Sequence, residues 1–261
     1  MYISASHINV KLKQDYADFI YEDLKMLVLC DGIGEFPLSH LASQKVCDVM
    51  IEKCYDDIDR VLHDFDIQKL ESLSEKAGTT IIFAKINSES ELLIQYLGNG
   101  GCIHFDGAFA ETNENLPIYR FNQLISPHVN KDGVLVKHLS NEGGSSERKR
   151  TKLTYSINSV FGDIFLLFTD GINSNENNII IKDDEGRYWR NESASLIYIL
   201  EKLDLFLIQN SGNENFQEAL VNFNIDVLKQ IHELEMLDDD ASLGIVISQQ
   251  ALNYYKVKNN D

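Results

Sequence analysis

The stretch GDIFLLFTDGI, residues 162–172, reads as a short buried strand that stops at an aspartate and turns on a glycine. Ile164 to Phe168 form an unbroken apolar run bounded by polar residues, the pattern of a strand in the interior. Asp170 then stands just past the strand, where a rigid backbone fixes the direction of its carboxylate. The pattern recurs. MLVLC (26–30) ends in Asp31-Gly32, and the acidic triplet Asp238-Asp239-Asp240 comes shortly before LGIVIS (243–248). The glycines after Asp31 and Asp170 permit a sharp turn and leave the backbone carbonyl accessible.

Taken singly, a strand-terminal Asp-Gly is most often only a turn. Three carboxylates converging at one edge of a core would repel one another unless compensated. Hard divalent cations supply that compensation, and an all-oxygen donor set favours Mg²⁺ or Mn²⁺ over zinc. Two such ions about 3.5–4 Å apart can share a carboxylate, activate a bridging water and neutralise charge building on a phosphoryl group.

Outward from these strands, Thr79–Ile86 and Glu91–Leu97 read as a hairpin closed by a short polar loop, and Gly133–His138 as a further strand. Tyr2–Ser4, Phe19–Tyr21, Cys102–Phe105 and Ile179–Ile181 are weaker strand candidates. Apolar residues recur at helical spacing through Pro37–Phe65, Ser195–Gln209 and Phe216–Glu235. Strands first, then helices, then one more strand predict an α+β fold of packed antiparallel sheets with helices outside, not a repeating βαβ wind. Asn141–Lys152 is an exposed loop ending in a basic cluster, and Arg148–Lys152 reads either as ordinary solvated surface or as a flap attracting phosphorylated substrate. Asn173–Asn178 is a polar turn, and Trp189 beside Tyr188 a packing anchor. Residues 1–255 read as one domain, and 256–261 as a frayed tail.

The 261 residues carry 41 acidic against 23 basic side chains, a formal charge of −18. Such a surface repels nucleic-acid phosphates and anionic lipid, so neither is expected as a partner. Cys30, Cys47, Cys54 and Cys102 match no zinc or redox spacing and read as buried thiols in a reducing compartment. No apolar run approaches the length of a membrane span, the N-terminal segment lacks the apolar core of a signal peptide, and a cytoplasmic location is expected.

Together these segments resemble the metal-dependent serine/threonine protein phosphatases of type 2C, as a divergent bacterial-type member. DGIGEFPLSHLAS (31–43) resembles the family's Asp-Gly segment with its trailing Ala-Ser, AGTTIIFAKI (77–86) its GTT strand, and LGNGGCIHF (97–105) its GDSR strand. GDIFLLFTDGI resembles the family's SDG strand, DDASLGIVI (239–247) its closing strand, and Gln14-Asp15 its upstream Glu-Asp or Gln-Asp pair. The resemblance covers nearly the whole chain in the right order. It implies a four-layer α-β-β-α sandwich of two antiparallel β-sheets flanked by helices, with metals at one end.

Carried over residue by residue, the resemblance makes Asp31 the bridge between two Mg²⁺ or Mn²⁺ ions. Asp170 and Asp239 complete the first ion's shell, the carbonyl of Gly32 reaches the second, Asp15 acts through metal-bound water, and Asp240 stands behind them. The implied activity is hydrolysis of phosphoserine or phosphothreonine, and the implied partner a phosphorylated protein. This chain also departs from the pattern. Val10 occupies the place of a phosphate-gripping arginine, leaving Lys11 or Lys13 to hold phosphate as point charges. Ile33 replaces a histidine, and Asn99 replaces the aspartate of a third metal, so a poor or absent third site is expected. These departures motivate a second reading, a pseudophosphatase that binds phosphoproteins or a partner without turnover. A regulatory phosphatase aimed at one dedicated partner is a third.

Overall fold

The structure, a computed structural model, describes residues 1–64, 75–113, 116–141, 149–157, 160–173, 178–182 and 188–258. From the N-terminus the chain forms β1 (Tyr2–Ile8), β2 (Asp15–Ile20), β3 (Met26–Asp31), α1 (Ser39–Glu52), α2 (Ile58–Asp64), β4 (Gly78–Thr79), β5 (Ile81–Ser88) and β6 (Glu91–Leu97). It continues through β7 (Gly101–Asp106), β8 (Ala110–Asn113), β9 (Leu116–Tyr119), β10 (Asn122–Gln123), β11 (Leu139–Ser140), β12 (Thr151–Ser156) and β13 (Asp163–Phe168). A 3-10 turn at Asp170–Asn173 precedes β14 (Asn178–Lys182) and β15 (Tyr188–Ser193). Helices α3 (Ala194–Asn210) and α4 (Phe216–Glu233), strand β16 (Ala241–Ile247) and helix α5 (Gln249–Lys258) complete it.

Two five-stranded sheets dominate, in the orders β1-β16-β13-β7-β10 and β12-β6-β5-β3-β2. Every neighbouring pair in them is antiparallel. Side chains alternate along a strand, and β13 shows what that does here. Phe165 and Leu167 pack with Leu27, Leu29, Ile82, Ile94 and Val246 between the sheets. Ile164, Leu166 and Phe168 face the other way, against Leu200 and Leu203 of α3 and Leu228 and Ile231 of α4. The second sheet is covered likewise, Val28 and Phe83 meeting Val46 and Met50 of α1 and Ile58 and Val61 of α2. Both faces of each central strand are therefore buried, which is why their sequences are continuous apolar runs. The expected four layers, helices on two stacked antiparallel sheets, are present.

The apolar stretch Pro37–Phe65 is two helices rather than one. Helix α1 stops at Glu52, and Cys54 takes a left-handed φ of 50°. Its N–H donates to the Ile51 carbonyl at 3.1 Å and the Tyr55 N–H to that of Met50 at 3.0 Å, a Schellman close built without glycine. Glu235, with φ 55°, ends α4 in the same way, donating to His232 while Met236 donates to Ile231. Gly133–His138 is not a strand. Gly133, at φ 79°, turns the chain back so that the Val136 N–H donates to the His128 carbonyl at 2.8 Å, leaving Val134 and Val136 exposed. The chain past Tyr255 stays helical through Lys258, where fraying was expected from residue 256. Cys54 is exposed rather than buried, while Cys30, Cys47 and Cys102 lie inside as free thiols.

Arg150 is bound to Asp57 at 2.8 Å, to Asp59 at 2.9 Å and to Gln95, which ties this part of the expected flap down beside α2. Arg148, residues 174–177 of the polar turn, and the side chains of Tyr188 and Trp189 lie outside the described residues. Strand β2 forms an edge, yet its outward N–H groups are occupied. Those of Asp15, Ala17 and Phe19 donate to Asn9 Oδ1 at 3.2 Å, His7 Nδ1 at 3.1 Å and Asp18 Oδ1 at 2.7 Å. Among the described residues no helix is long and apolar enough to cross a membrane.

Candidate functional site

Antiparallel pairing sets Asp15, the first residue of β2, opposite Asp31, the last of β3. Asp170 follows β13 of the other sheet, and Asp239 precedes β16 beside it. The sandwich thus delivers four carboxylates to one end from both sheets. The carboxyl of Asp31 stands within hydrogen-bonding range of those of Asp15 and Asp170, and the charge of Asp239 acts on Asp170.

Asp15 is fully buried. Its Oδ2 accepts from Thr169 Oγ1 and Ser242 Oγ, both at 2.7 Å, while its Oδ1 is buried without a partner. Thr169 Oγ1 also accepts the Ser242 N–H at 2.8 Å, so a hydroxyl pair from the first sheet clasps a carboxylate of the second. Neither hydroxyl was among the expected site residues. Their signal is slight: small hydroxyl residues beside Asp170 and two positions after Asp240.

Burial pushes Asp15 up to about 7. Burial, reinforced by the charges of Asp15 and Asp170, holds Asp31 well above the usual carboxylate range. Asp170 opens to solvent along one side, yet the protein crowded around its carboxyl, with Asp239 adding repulsion, raises it too. Asn99 Nδ2 donates to Asp170 Oδ2 and partly offsets this.

The glycines at 32 and 171 serve space rather than an unusual backbone angle, since the positive-φ glycines among the described residues are at 98, 133 and 162. A Cβ on Gly32 would lie 2.8 Å from Gln14 Cβ and 2.9 Å from Ser39 Cβ. One on Gly171 would lie 2.0 Å from the Asp240 carbonyl oxygen. Each Asp-Gly pair is thereby wedged against a neighbouring segment of the site.

A groove of about 490 Å³ opens at the cluster, lined among others by Lys11, Asn99, Asp170, Asp239, Pro127 and Val129. Lys11 Nζ reaches the Asp238 carbonyl at 3.5 Å. Lys13 is exposed, with φ 57°, and is not among the residues lining the groove. Among the described residues, none of Asp15, Asp31, Asp170 or Asp239 is ion-paired to a lysine, arginine or histidine. Crowded oxygen donors without a cationic partner, one of them an orphaned buried oxygen, suit a hard divalent cation. They do not form a ready-made cage: no three His, Cys, Asp or Glu side chains among the described residues are spaced as metal ligands. Asp31 instead stands among its carboxylate neighbours, within hydrogen-bonding range of the Asp15 and Asp170 carboxyls.

The two stacked sheets and the five helices among the described residues match the fold of type 2C protein phosphatases. A sex-determining protein of C. elegans superposes with a TM-score of 0.61 at 12% identity, over 98% of this chain and 66% of that one. A point variant of a bacterial serine phosphatase gives 0.59 at 14% identity, over 94% and 97% of the two chains. RsbX in complex with magnesium gives 0.53 at 15%, over 95% and 96%. At such identities the likeness is one of fold. No protein-family model and no curated protein sequence matches the chain.

Proposed function

We propose that this protein is a metal-dependent phosphohydrolase acting on phosphoserine or phosphothreonine in proteins. The observation that carries it is the meeting of Asp15, Asp31 and Asp170, drawn from both sheets, beneath a groove that also holds Asp239 and Lys11. The fold shared with serine phosphatases, one similar structure holding magnesium, supports the reading.

Asp31, Asp170 and Asp239 would hold Mg²⁺ or Mn²⁺, with Asp15 and the Gly32 carbonyl assisting. Bound there, such ions lower the pKa of water and offset charge developing on a phosphoryl group. The chain's own residues do the rest. Lys11 offers an ammonium at the groove to the phosphate, as a point charge without the fork of an arginine. Asn99 fixes one oxygen of Asp170, and Thr169 with Ser242 fixes one of Asp15, so the remaining oxygens are held for the cation.

With Mn²⁺ the protein should cleave p-nitrophenyl phosphate. Losing an outer-shell partner of a metal ligand typically costs 10–100-fold, so Asp31→Asn should lower turnover by at least about 100-fold. Hydrolysis that ignores a chelator, or survives that substitution, would refute the assignment. The alternative of binding without turnover draws on Val10, which packs its side chain against the helix-covered core instead of offering a cation. Tight phosphopeptide binding with no hydrolysis at saturating Mn²⁺ would select it.

A further inference from the structure

The three aspartates before β16 do three different things. Asp239 faces the carboxylate cluster. The carbonyl of Asp238 receives Lys11 Nζ. Asp240 is buried and gathers the connection between β1 and β2. Its Oδ1 accepts the N–H of Val10 at 2.6 Å and of Lys11 at 2.7 Å, and its Oδ2 accepts that of Gln14 at 2.7 Å. Bonds from N–H groups to an ionised carboxylate are short and roughly twice as strong as neutral ones.

Asp240 is itself held in place. Its N–H donates to Asp239 Oδ1 at 2.9 Å, and its carbonyl lies against Gly171, the residue after Asp170, with no room for a Cβ between them. Residues 9–13 lie between the end of β1 at Ile8 and Gln14, whose carbonyl takes the Gly32 N–H at 3.1 Å, so strand pairing does not place them. Within them Lys13 keeps a left-handed backbone, a conformation that persists only where surrounding contacts over-determine it. Lys11 is thus gripped at its amide by Asp240 and at its ammonium by Asp238, on a mount registered to Asp170 and Asp239.

We propose that Asp240 is a positioning residue that sets Lys11 over the groove and thereby controls how tightly a phosphoryl group is held. The inference rests on the phosphohydrolase reading and deepens it by assigning substrate grip to a carboxylate that does not line the groove.

Asp240→Asn keeps the side chain's size and one acceptor oxygen but turns an N–H₂ toward the amides it had gathered. Inorganic phosphate, titrated calorimetrically in the presence of Mn²⁺, is the probe. Asp240→Asn and Lys11→Met should each weaken phosphate binding about tenfold, the scale of one charged hydrogen bond. The double variant should bind within about twofold of Lys11→Met alone, because residues acting through one another are not additive. With p-nitrophenyl phosphate the loss should fall on KM rather than kcat, and amide exchange at residues 10, 11 and 14 should quicken in Asp240→Asn. Additive losses, an equal fall in kcat and kcat/KM, or unchanged amide exchange would overturn the positioning role. If Asp240→Asn does not fold, Asp240→Ser, which also keeps one acceptor, takes its place in the cycle. Wild-type hydrolysis with additive losses would remove the positioning role alone. Wild-type protein without Mn²⁺-dependent hydrolysis would remove the phosphohydrolase reading, while the phosphate cycle and amide exchange would still decide what Asp240 does.

Discussion

Strand β13 carries an aspartate at each end, and the two differ in what stands against the carboxylate. Asp163 begins the strand and Asp170 lies just past its end, with roughly 17 Å of extended chain between the strand's termini. Asp163 is 2% exposed; its Oδ1 pairs with His104 Nε2 at 2.8 Å, while its Oδ2, like Asp15 Oδ1, is buried without a hydrogen-bond partner, so the pairing imidazole rather than full satisfaction sets it apart. Tyr155 from the other sheet brings its hydroxyl to the same ring nitrogen at 3.1 Å, and the Asp163 N–H donates to Ser248 Oγ. At the other end Asp170 meets Asp31, which meets Asp15, and no basic side chain among the described residues answers them. Burial of a carboxylate therefore says little alone. A buried aspartate with an imidazole and a hydroxyl around it holds a fold together, whereas crowded aspartates without a counter-charge store repulsion that a cation can relieve.

Three measurements test this contrast, the largest effect first. Asp15, raised to about 7, keeps a proton in the folded state that the unfolded chain releases near its ordinary value. The stabilisation this gives is complete below about pH 4 and is lost as pH rises through 7, on the order of 4 kcal/mol for the crowded end. The melting temperature of metal-free protein should fall between pH 5 and 8, and saturating Mn²⁺ should cancel the fall. A flat profile without metal would show that the carboxylates do not crowd one another. Next, His104→Ala leaves Asp163 buried and unanswered, and urea unfolding should show a loss of about 3 kcal/mol with the Mn²⁺ response unchanged. An altered Mn²⁺ response would mean that the two ends are not independent. Least, Ser242→Ala removes one of the two hydroxyls on Asp15 and should cost about 1.5 kcal/mol at pH 8 without metal. An effect near zero would show that Thr169 suffices.

What the sequence discloses depends on whether the signal is local. Asp31 and Asp170 each follow an unbroken apolar run of five residues, and their places at strand ends were legible from that. Asp15 was legible only through resemblance, because β2, DYADFI, is an edge strand with no apolar run to mark it. Thr169 and Ser242 act across the gap between sheets, and only the stacking of those sheets tells a hydroxyl which carboxylate it will meet. The end of α1 was hidden for a different reason. Cys54 occupies a position where glycine is the usual sign, and it is the buried Tyr55 beyond it, packed with α1 and α2, that holds the turn. Val134 and Val136 misled in the reverse sense, an apolar run that ends up exposed on a loop.

Strand β2 has one more consequence. The amides on its outer side are already engaged by Asn9, His7 and Asp18. A neighbouring chain seeking to extend the sheet there would first have to dislodge three side chains, so this border resists recruitment into fibres or strand-exchanged dimers. The protein packed around the ring of His7, itself exposed on one side, lowers its basicity. The guard that seals this rim also holds the amide of Asp15, so protection against aggregation and the placing of a cluster carboxylate draw on the same few contacts.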